Sequence, residues 1–502
     1  MSLKPRFVSR ALLALVSGVV ALTACSSDGD ARDAAVDAAV DVQVDATAVD
    51  TGGEDASRDA AGDVEMKRDA GVDARVSDAT STDAGAQDAG GLDGGALRVV
   101  KVVASSAGHA CALRSDGRVR CWGLNDNGQL GRPASQSASQ CLTRPGGVRL
   151  PCDPRAVEVA GVTDAVDLVT SAGATCVLRQ NRSVLCWGAN EAGQLGQGRG
   201  STAPTATPTA VTLGPVRSLS AGAYHVCAAL EDGTVRCWGS NAFGQTGVAI
   251  GQSPAQCDEG DGTLSPCTPT PTAVAGVTDA VEVAAGRFYT CARRRGGAVQ
   301  CWGLNDSAQL GNGQVGAIEG GVVPPVTVAG ETSVSAIFAG GSHGCAQRST
   351  GALVCWGWDG YGQLLGAPSA QCSSVSGAFL CAMNPSVVPQ VTNPRSVATG
   401  RSHACVVTSD GNLLCGGRND NEQLGAATSL TCSVGTDTYP CSRNTPVRVQ
   451  LSNVRQVSVG DYHSCALLDS GEVRCWGWNV YGQTGGGVAS TMEPPALVRD
   501  LL

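Results

Sequence analysis

The stretch GDYHSCALLDSGEVRCWGWNVYGQTG (residues 460–485) holds two cysteines ten positions apart, with a histidine two positions before the first and a tryptophan directly after the second. The pattern has three possible interpretations. His463, Cys465 and Cys475 could ligate zinc, or a thiol beside an imidazole could act as a nucleophile. The two cysteines could also form a disulfide. The first two readings describe a reactive site, and the third describes a scaffold.

The residues around these cysteines have the pattern of a β-hairpin. Apolar residues occupy every second position on both sides of Asp469-Ser470-Gly471, as they do in half-buried strands. A three-residue hairpin loop favours glycine at its third position, which is Gly471. Closing the loop there places Cys465 directly opposite Cys475, within the distance that a disulfide spans.

The same unit occurs seven times after residue 98, at intervals of 51 to 65 residues. The paired cysteines, always ten apart, are Cys111 with Cys121, Cys176 with Cys186, Cys227 with Cys237, Cys291 with Cys301, Cys345 with Cys355, Cys405 with Cys415, and Cys465 with Cys475. The predicted repeat hairpins, each with a polar turn ending in glutamine, lie near 106–131, 171–196, 222–247, 286–311, 340–366, 400–425 and 460–485. Repetition at this period indicates a propeller or a solenoid.

Comparison among the seven units favours disulfides. The five histidines of the chain share one repeat position: His109, His225, His343, His403 and His463. Units two and four have Ala174 and Tyr289 there, yet keep both cysteines, so the cysteine pair does not depend on the histidine. We therefore predict no metal and no cofactor. The histidine is predicted to be a half-buried strand residue bonded to a neighbouring loop; the alternative is that it lines a central channel that binds an anion or a metal.

Eight further cysteines form a second set, inserted after the glutamine turn of units one, three, five and six. The predicted local pairs are Cys141 with Cys152, Cys257 with Cys267, Cys372 with Cys381, and Cys432 with Cys441. Sequence alone does not fix their connectivity, although the short separations favour local pairing. Their equal phase in the repeat places these loops on one face, where variable loops on a rigid support can form a binding surface or a partner-free rim.

The N-terminal 97 residues differ in composition from the rest. A basic start and the apolar run 11–22 indicate a secretory signal peptide over residues 1–24. LTAC (22–25) resembles a bacterial lipobox, which implies lipid attachment at Cys25; the alternative is ordinary cleavage with Cys25 left free. Residues 26–97 contain 18 acidic and 5 basic residues, a net charge of −13, with few large apolar residues. We predict that 25–97 form a disordered tether.

The repeat string H-x-C-A-L-x-x-D-G-x-V-x-C-W-G-x-N-x-x-G-Q-L-G resembles the repeat of the regulator of chromosome condensation family. The resemblance covers about 400 of the 502 residues. It implies an all-β, seven-bladed β-propeller of four-stranded antiparallel blades over 98–502. Two features depart from that family: the cysteine pair, and Cys415-Gly416-Gly417 where other units have tryptophan. We predict that the C-terminal strand 495–502 pairs near 96–103 to close the ring.

We predict a binding or scaffold module with no catalytic residues, lipid-anchored to the outer membrane or cell surface of a Gram-negative bacterium. Its partner would be an extracellular protein or glycan, contacted by the inserted loops and by Trp358, Tyr361, Trp478 and Tyr481. The membrane would be reached through the lipid only, and the chain would be a monomer.

Two other functions fit the sequence less well. A glycan hydrolase or lyase needs a unique carboxylate pair, and the sequence shows only repeated motifs. The nuclear member of the family exchanges nucleotide on the GTPase Ran and binds chromatin. An exported chain would not meet those partners, and residues 98–502 carry 27 charges of each sign, so no nucleic-acid partner is expected.

Overall fold

The computed structural model describes residues 96–142, 147–258, 263–316, 321–367, 369–374, 377–435 and 437–502. The predicted signal peptide and all but the last two residues of the predicted tether lie outside these ranges. Among the described residues, no helix has the length and apolar character needed to cross a bilayer.

The described chain forms seven antiparallel sheets in sequence order, and each sheet is one blade. Blade 1 contains β1 (Val99–Ala104), β2 (His109–Arg114), β3 (Val119–Leu124), β4 (Ser139–Leu142) and β5 (Arg149–Glu158). Blade 2 contains β6 (Ala165–Thr170), β7 (Ala174–Arg179), β8 (Val184–Asn190) and β9 (Ser201–Val211). Blade 3 contains β10 (Val216–Ala221), β11 (His225–Leu230), β12 (Val235–Ser240), β13 (Ala255–Asp258) and β14 (Leu264–Ala273). Blade 4 contains β15 (Ala280–Ala285), β16 (Tyr289–Arg294), β17 (Val299–Gly303) and β18 (Val322–Thr327).

The remaining three blades follow the same plan. Blade 5 contains β19 (Val334–Ala339), β20 (His343–Arg348), β21 (Ala352–Trp358), β22 (Ala370–Ser374) and β23 (Gly377–Thr392). Blade 6 contains β24 (Ser396–Thr399), β25 (His403–Val407), β26 (Leu413–Arg418), β27 (Leu430–Val434) and β28 (Asp437–Val449). Blade 7 contains β29 (Val454–Val459), β30 (His463–Leu468), β31 (Val473–Trp478) and β32 (Met492–Leu497). Two short 3-10 helices, Ala134–Gln136 and Ile250–Gln252, precede β4 and β13.

The seven-bladed all-β propeller is confirmed, but the expected strand number is wrong for four blades. Blades 1, 3, 5 and 6 have five strands, in the order β1-β2-β3-β5-β4 for blade 1. The extra strand comes from the inserted cysteine loop, which folds back as a hairpin whose second arm continues into the outer strand. An inserted segment beside the edge strand therefore adds a strand to the sheet instead of forming an irregular loop.

The predicted hairpin register is present in each blade. In blade 7, Cys465 lies opposite Cys475 and Leu467 opposite Val473, and Gly471 at the loop has a φ of 88°. Side chains alternate across a strand, so Cys475 and Trp476 point to opposite neighbours. Each blade's cysteine pair thus packs towards the next blade, and the tryptophan, in the six blades that have one, packs towards the previous blade.

The main cores lie between blades. Cys465 and Cys475 of blade 7 share a buried cluster with Trp122 of blade 1, and Cys111 and Cys121 share one with Trp187. The indole nitrogen also bonds across the junction in six of the seven cases, donating to the carbonyl of the preceding blade's turn glutamine. The distance from Trp122 Nε1 to the Gln483 carbonyl is 2.8 Å. Disulfide, indole and glutamine turn together form the repeated joint of the ring.

The seventh joint has no tryptophan and is filled differently. Gly416 of blade 6 stands where tryptophan stands in the other blades, and the turn of blade 5 has one extra residue, Leu365, which is 1% exposed. A Cβ placed on Gly416 would lie 3.3 Å from the Leu365 Cδ2 atom. Leu365 also belongs to the core cluster around Cys345 and Cys355. The two departures from the repeat therefore compensate each other.

The ring closes by packing, which corrects the predicted strand pairing. Among the described strands, β1 pairs with β2 alone, and β32 pairs with β31 in blade 7. Instead, Val498 and Leu501 pack with Val99 in the core between blades 7 and 1. The Gln456 side chain completes the joint by accepting from the Val102 amide at 3.0 Å and donating to its carbonyl at 3.1 Å. Pairing is not needed because each blade already obtains all its strands from a continuous segment.

Candidate functional site

All seven glutamine turns and all four inserted hairpins lie at one end of the propeller, here called the loop face, where the third strand of each blade ends. The hairpins share one register: the last residue of the third strand pairs with the second cysteine of the insertion, as Leu124 with Cys152 and Trp358 with Cys381. Their equal phase in the sequence therefore does place them on one face, as predicted.

Each glutamine turn is held by its own side chains. In blade 7, Asn479 Oδ1 accepts from the Thr484 amide at 3.0 Å and Gln483 Oε1 accepts from the Tyr481 amide at 2.9 Å. The aspartates at the second turn position act in the same way: Asp126 accepts from the Gln129 side chain at 3.0 Å. These polar residues are used in turn construction, so turn chemistry accounts for them without a catalytic role.

The blade cysteines are joined in the local pairs that the repeat predicts. Each pair is directly opposed across the second and third strands of its blade, with Cα–Cα distances of 4.0–4.2 Å. The bonds are Cys111 to Cys121, Cys176 to Cys186, Cys227 to Cys237, Cys291 to Cys301, Cys345 to Cys355, Cys405 to Cys415, and Cys465 to Cys475. Blades 2 and 4, which lack the histidine, thus have the same staple as the other five.

The inserted cysteines have a different geometry. They are diagonal neighbours with Cα atoms 5.8 Å apart, since Cys141 lies opposite Leu150 and Cys152 opposite Ser139. The bonds are Cys141 to Cys152, Cys257 to Cys267, Cys372 to Cys381, and Cys432 to Cys441. In both sets the sulfurs are joined as disulfides, so neither sulfur of a pair is a thiolate available to metal or substrate.

The inserted hairpins pack against the turn of the preceding blade. Cys432 and Cys441 of blade 6 form one cluster with Tyr361 of blade 5 and Tyr439. In blade 5, the inserted cysteine pair clusters with Ala308 of blade 4. These disulfides therefore hold their loops against a neighbouring blade, so the loop face carries raised, rigid hairpins.

The shared histidines differ from the prediction in burial and partner. They are fully buried, at 0–1% exposed, not half-buried. Three of them bond a strand hydroxyl of the next blade, not a loop: His109 Nε2 to Thr175 Oγ1 at 3.1 Å, His225 to Thr290 at 2.8 Å, and His403 to Ser464 at 2.9 Å. Nor do they line the channel, a cavity of about 280 Å³ enclosed by the first strands.

This contact fixes the form of the histidine. The Thr175 hydroxyl has one proton, which it donates to the Gln129 carbonyl at 3.0 Å, so it can only accept from His109 Nε2. Nε2 of His109 therefore carries a proton, and in the neutral imidazole Nδ1 is the atom without one. Burial lowers the pKa of His225 to about 3, and burial together with the nearby charge of His463 lowers that of His109 to about 3. Such a histidine is a structural donor at neutral pH and is not poised as a base.

The most strongly shifted carboxyl group belongs to a turn. Asp359 takes the place of the turn asparagine in blade 5, where burial raises its pKa to about 6 although the Leu364 amide donates to it at 3.0 Å. Within the described ranges, no group of three or more His, Cys, Asp and Glu side chains is placed to hold a metal ion.

The four predicted contact aromatics fall into two groups. Trp478 and Tyr481 are half-buried, with ring centroids 5.2 Å apart. Trp358 is also half-buried, but Tyr361 is only 4% exposed and packs edge-on against Tyr439 at 5.6 Å. The prediction for Tyr361 is therefore corrected, because the blade 6 hairpin covers its ring. Sequence reasoning missed Tyr439 as the covering residue, since nothing in the sequence shows which hairpin lies over which turn.

Known proteins share this architecture. A family model described as the RCC1-like domain matches residues 75–434, and RCC1 repeat models match 410–467 and 454–483. The chain belongs to the RCC1-like domain family. This RCC1-like propeller is 28% identical over 410 residues to the ultraviolet-B receptor UVR8 of Arabidopsis thaliana, covering 80% of this chain and 82% of that protein. It is 26% identical over 403 residues to the secretion-regulating guanine nucleotide exchange factor of Bos taurus, covering 76% of this chain and 78% of that protein.

Solved structures show the same fold. Yeast RCC1 (Prp20), in its complex with Kap60, superposes with a TM-score of 0.59 at 21% identity, covering 76% of this chain and 83% of that one. Human WBSCR16 gives a TM-score of 0.59 at 20% identity, covering 76% of this chain and 94% of that one. At these identities the likeness establishes the fold. The eleven disulfides of the described chain are typical of a protein that folds outside the reducing cytosol.

Proposed function

We propose that this RCC1-like propeller is an exported, lipid-anchored binding module whose loop face contacts an extracellular protein or glycan. Cys25 would carry the lipid and residues 26–97 would separate the propeller from the outer membrane. The net charge of −13 in that segment would keep it extended from an anionic surface. The propeller itself would supply a rigid platform without catalysis.

The observation that carries the proposal is the distribution of the inserted hairpins. Blades 2, 4 and 7 form complete four-stranded sheets without them, so the fold does not require the insertions. The four that exist are all stapled and all lie on the loop face. Rigid, variable loops on a repetitive support reduce the entropy lost on binding.

Binding to isolated cell envelopes tests this role. In the test variant, each of the four hairpins is replaced by the shorter connection of a sister blade, such as 197–200 of blade 2. The control carries a substitution on the opposite face, such as Asp410→Ser in a hairpin turn. We expect the control to bind as the wild type does and the hairpin-free variant to lose at least tenfold in affinity. Equal binding by a folded hairpin-free variant would contradict the proposal.

The anchor has a separate test. Replacement of Cys25 by Ser should move the protein from the membrane fraction to the soluble fraction and abolish labelling by a radiolabelled fatty acid. Unchanged membrane fractionation would contradict lipid attachment at Cys25 while leaving the loop-face proposal intact.

A further inference from the structure

A continuous row of aromatic rings runs across the loop face of blade 7 from the channel mouth. We call Arg401, Tyr462, Trp478 and Tyr481 the blade 7 strip. The Arg401 guanidinium lies 5.7 Å from the centre of the Tyr462 ring and donates to its hydroxyl. Tyr462 and Trp478 have centroids 5.6 Å apart, and Trp478 and Tyr481 5.2 Å apart. All three rings are half-buried, so part of each remains accessible.

The repeat shows that the propeller does not need these rings. Backbone bonds identify the equivalent positions, because Trp478 N donates to the Tyr462 carbonyl as Leu124 N does to that of Gly108. The positions equivalent to Tyr462 hold Gly108, Gly173, Tyr224, Phe288, Ser342 and Ser402. Those equivalent to Trp478 hold Leu124, Ala189, Ser240, Leu304, Trp358 and Arg418. Those equivalent to Tyr481 hold Asn127, Ala192, Phe243, Ser307, Tyr361 and Asn421.

Blade 7 is the one blade with aromatic residues at all three positions. Blades 1 and 2 have none, yet their sheets and joints have the same geometry, so packing of the fold does not explain the strip. Blades 3 and 5 have two aromatics each, Tyr224 with Phe243 and Trp358 with Tyr361, and the blade 6 hairpin covers Tyr361. Blade 7 thus has the most aromatic rings at these three positions, and its rings are still accessible.

The inner end of the strip carries both signs of charge. Arg401 and Asp461 line the channel mouth, a shallow cavity of about 100 Å³, together with Gly400 and Gly460. A guanidinium supplies only donors and a carboxylate only acceptors. Beside them the rings supply flat apolar surface that loses little conformational entropy on binding.

We propose that the blade 7 strip binds a glycan chain. Sugar rings present apolar C–H faces, which pack on aromatic rings, and hydroxyl groups, which both donate and accept hydrogen bonds. That combination matches three adjacent rings with an arginine and an aspartate at the inner end. A strongly anionic or cationic ligand is less well matched, because one of the two charges would repel it. The inference rests on the proposed binding function and assigns the ligand class and the residues.

The test replaces each ring by the residue of a sister blade: Tyr462→Ser, Trp478→Leu and Tyr481→Asn. These substitutions occur naturally at equivalent positions, so the variants are expected to fold, which their thermal unfolding and intact disulfides will verify. Tyr224→Ser is the matched control, because Tyr224 is a 42% exposed aromatic at the same repeat position in blade 3. The probes are an array of neutral and carboxylated glycans and a peptide library, followed by titration calorimetry with the best ligand.

We expect the wild type and Tyr224→Ser to bind a neutral oligosaccharide with equal affinity, and Trp478→Leu to weaken that binding at least tenfold. Absence of binding to every glycan, preference for peptides, or full binding by the folded Trp478→Leu variant would overturn the inference. If envelope binding is lost on hairpin removal but not in the strip variants, the proposed function stands and the glycan assignment fails.

Discussion

At the scale of single residues, the joint between blades depends on a few polar atoms in an apolar setting. The glutamine carbonyl of each turn accepts from the next blade's indole in six joints, and in three of them also from a threonine or serine hydroxyl. Buried polar groups must be paired, because an unpaired one costs its full desolvation energy. The number of donors at each glutamine carbonyl should therefore determine how much unfolding free energy is lost when one donor is removed by mutation.

Substitution of tryptophan by phenylalanine tests that difference. Trp187→Phe leaves the Gln129 carbonyl bonded to Thr175, whereas Trp238→Phe removes the indole donor from Gln194 in a joint where Val226 replaces the threonine. Both variants lose similar packing. We expect Trp238→Phe to cost about 1–2 kcal/mol more than Trp187→Phe, measured by denaturant unfolding. Equal losses would show that the second donor is not significant.

The buried histidines should make the propeller sensitive to acid. Their pKa is lowered in the folded state, to about 3 for His225 and about 4 for His463, from 6.5. Between these values the unfolded chain binds protons that the folded chain does not. The stabilisation is therefore complete above about pH 6.5 and is lost as pH falls towards 3–4, by about 1.4 kcal/mol per pH unit for each histidine.

A single substitution isolates one of these contributions. His225→Gln removes one titrating group, so its unfolding free energy should fall less steeply between pH 6 and pH 4.5 than that of the wild type, by about 1.4 kcal/mol per pH unit. Urea unfolding at several pH values measures the slope. A slope identical to that of the wild type would contradict a neutral, buried His225.

At the scale of elements, sequence reasoning succeeded where one unit could be compared with six others. It obtained the hairpin, its register and the common face of the insertions from local patterns such as the Cys465-to-Cys475 spacing and Gly471. It failed where the answer depended on contact between units, as for the burial of the histidines and the cover over Tyr361, and it did not predict that the insertions add a fifth strand to their own blades. The one contact between units that the sequence could have indicated is that of Leu365 with Gly416, because an extra residue in one unit is followed by a missing tryptophan in the next.

That pair of anomalies gives a double-mutant test. Gly416→Trp alone places an indole in space that Leu365 occupies, and deletion of Leu365 alone leaves a cavity; each should cost several kcal/mol. Together they recreate the joint of the other six blades. We expect the double variant to be at least about 2 kcal/mol more stable than the sum of the single effects predicts. Additive effects on the unfolding free energy would contradict compensation.

The blade staples have a separate energetic role. Cys227→Ala with Cys237→Ala opens a disulfide that closes an eleven-residue loop, which should lower stability by about 2.5–3 kcal/mol in the chain-entropy model. The free energy of unfolding of the oxidised proteins measures it. No loss would show that the hairpin is already held by its strands and by the neighbouring indole of Trp302.

At the scale of the whole molecule, seven similar joints hold a ring in which the described strands of each blade pair within that blade. Six joints combine a disulfide, an indole and a glutamine turn, and the seventh replaces the indole by Leu365. The cysteines and the histidine of one unit resemble a reactive site, but comparison of all seven units indicates a structural role for them. The variation that we assign to function is confined to the loop face, in the four hairpins and the blade 7 strip. Fold and proposed function thus occupy different parts of the same repeat.

Peptide mapping of the folded protein without reduction, combined with metal analysis, tests most directly whether the cysteines are staples of a scaffold. We predict eleven disulfides, each between the local partners given above, and no stoichiometric metal. Free thiols at a blade pair such as Cys465 and Cys475, or zinc bound with the neighbouring His463, would contradict the scaffold interpretation and restore a reactive site.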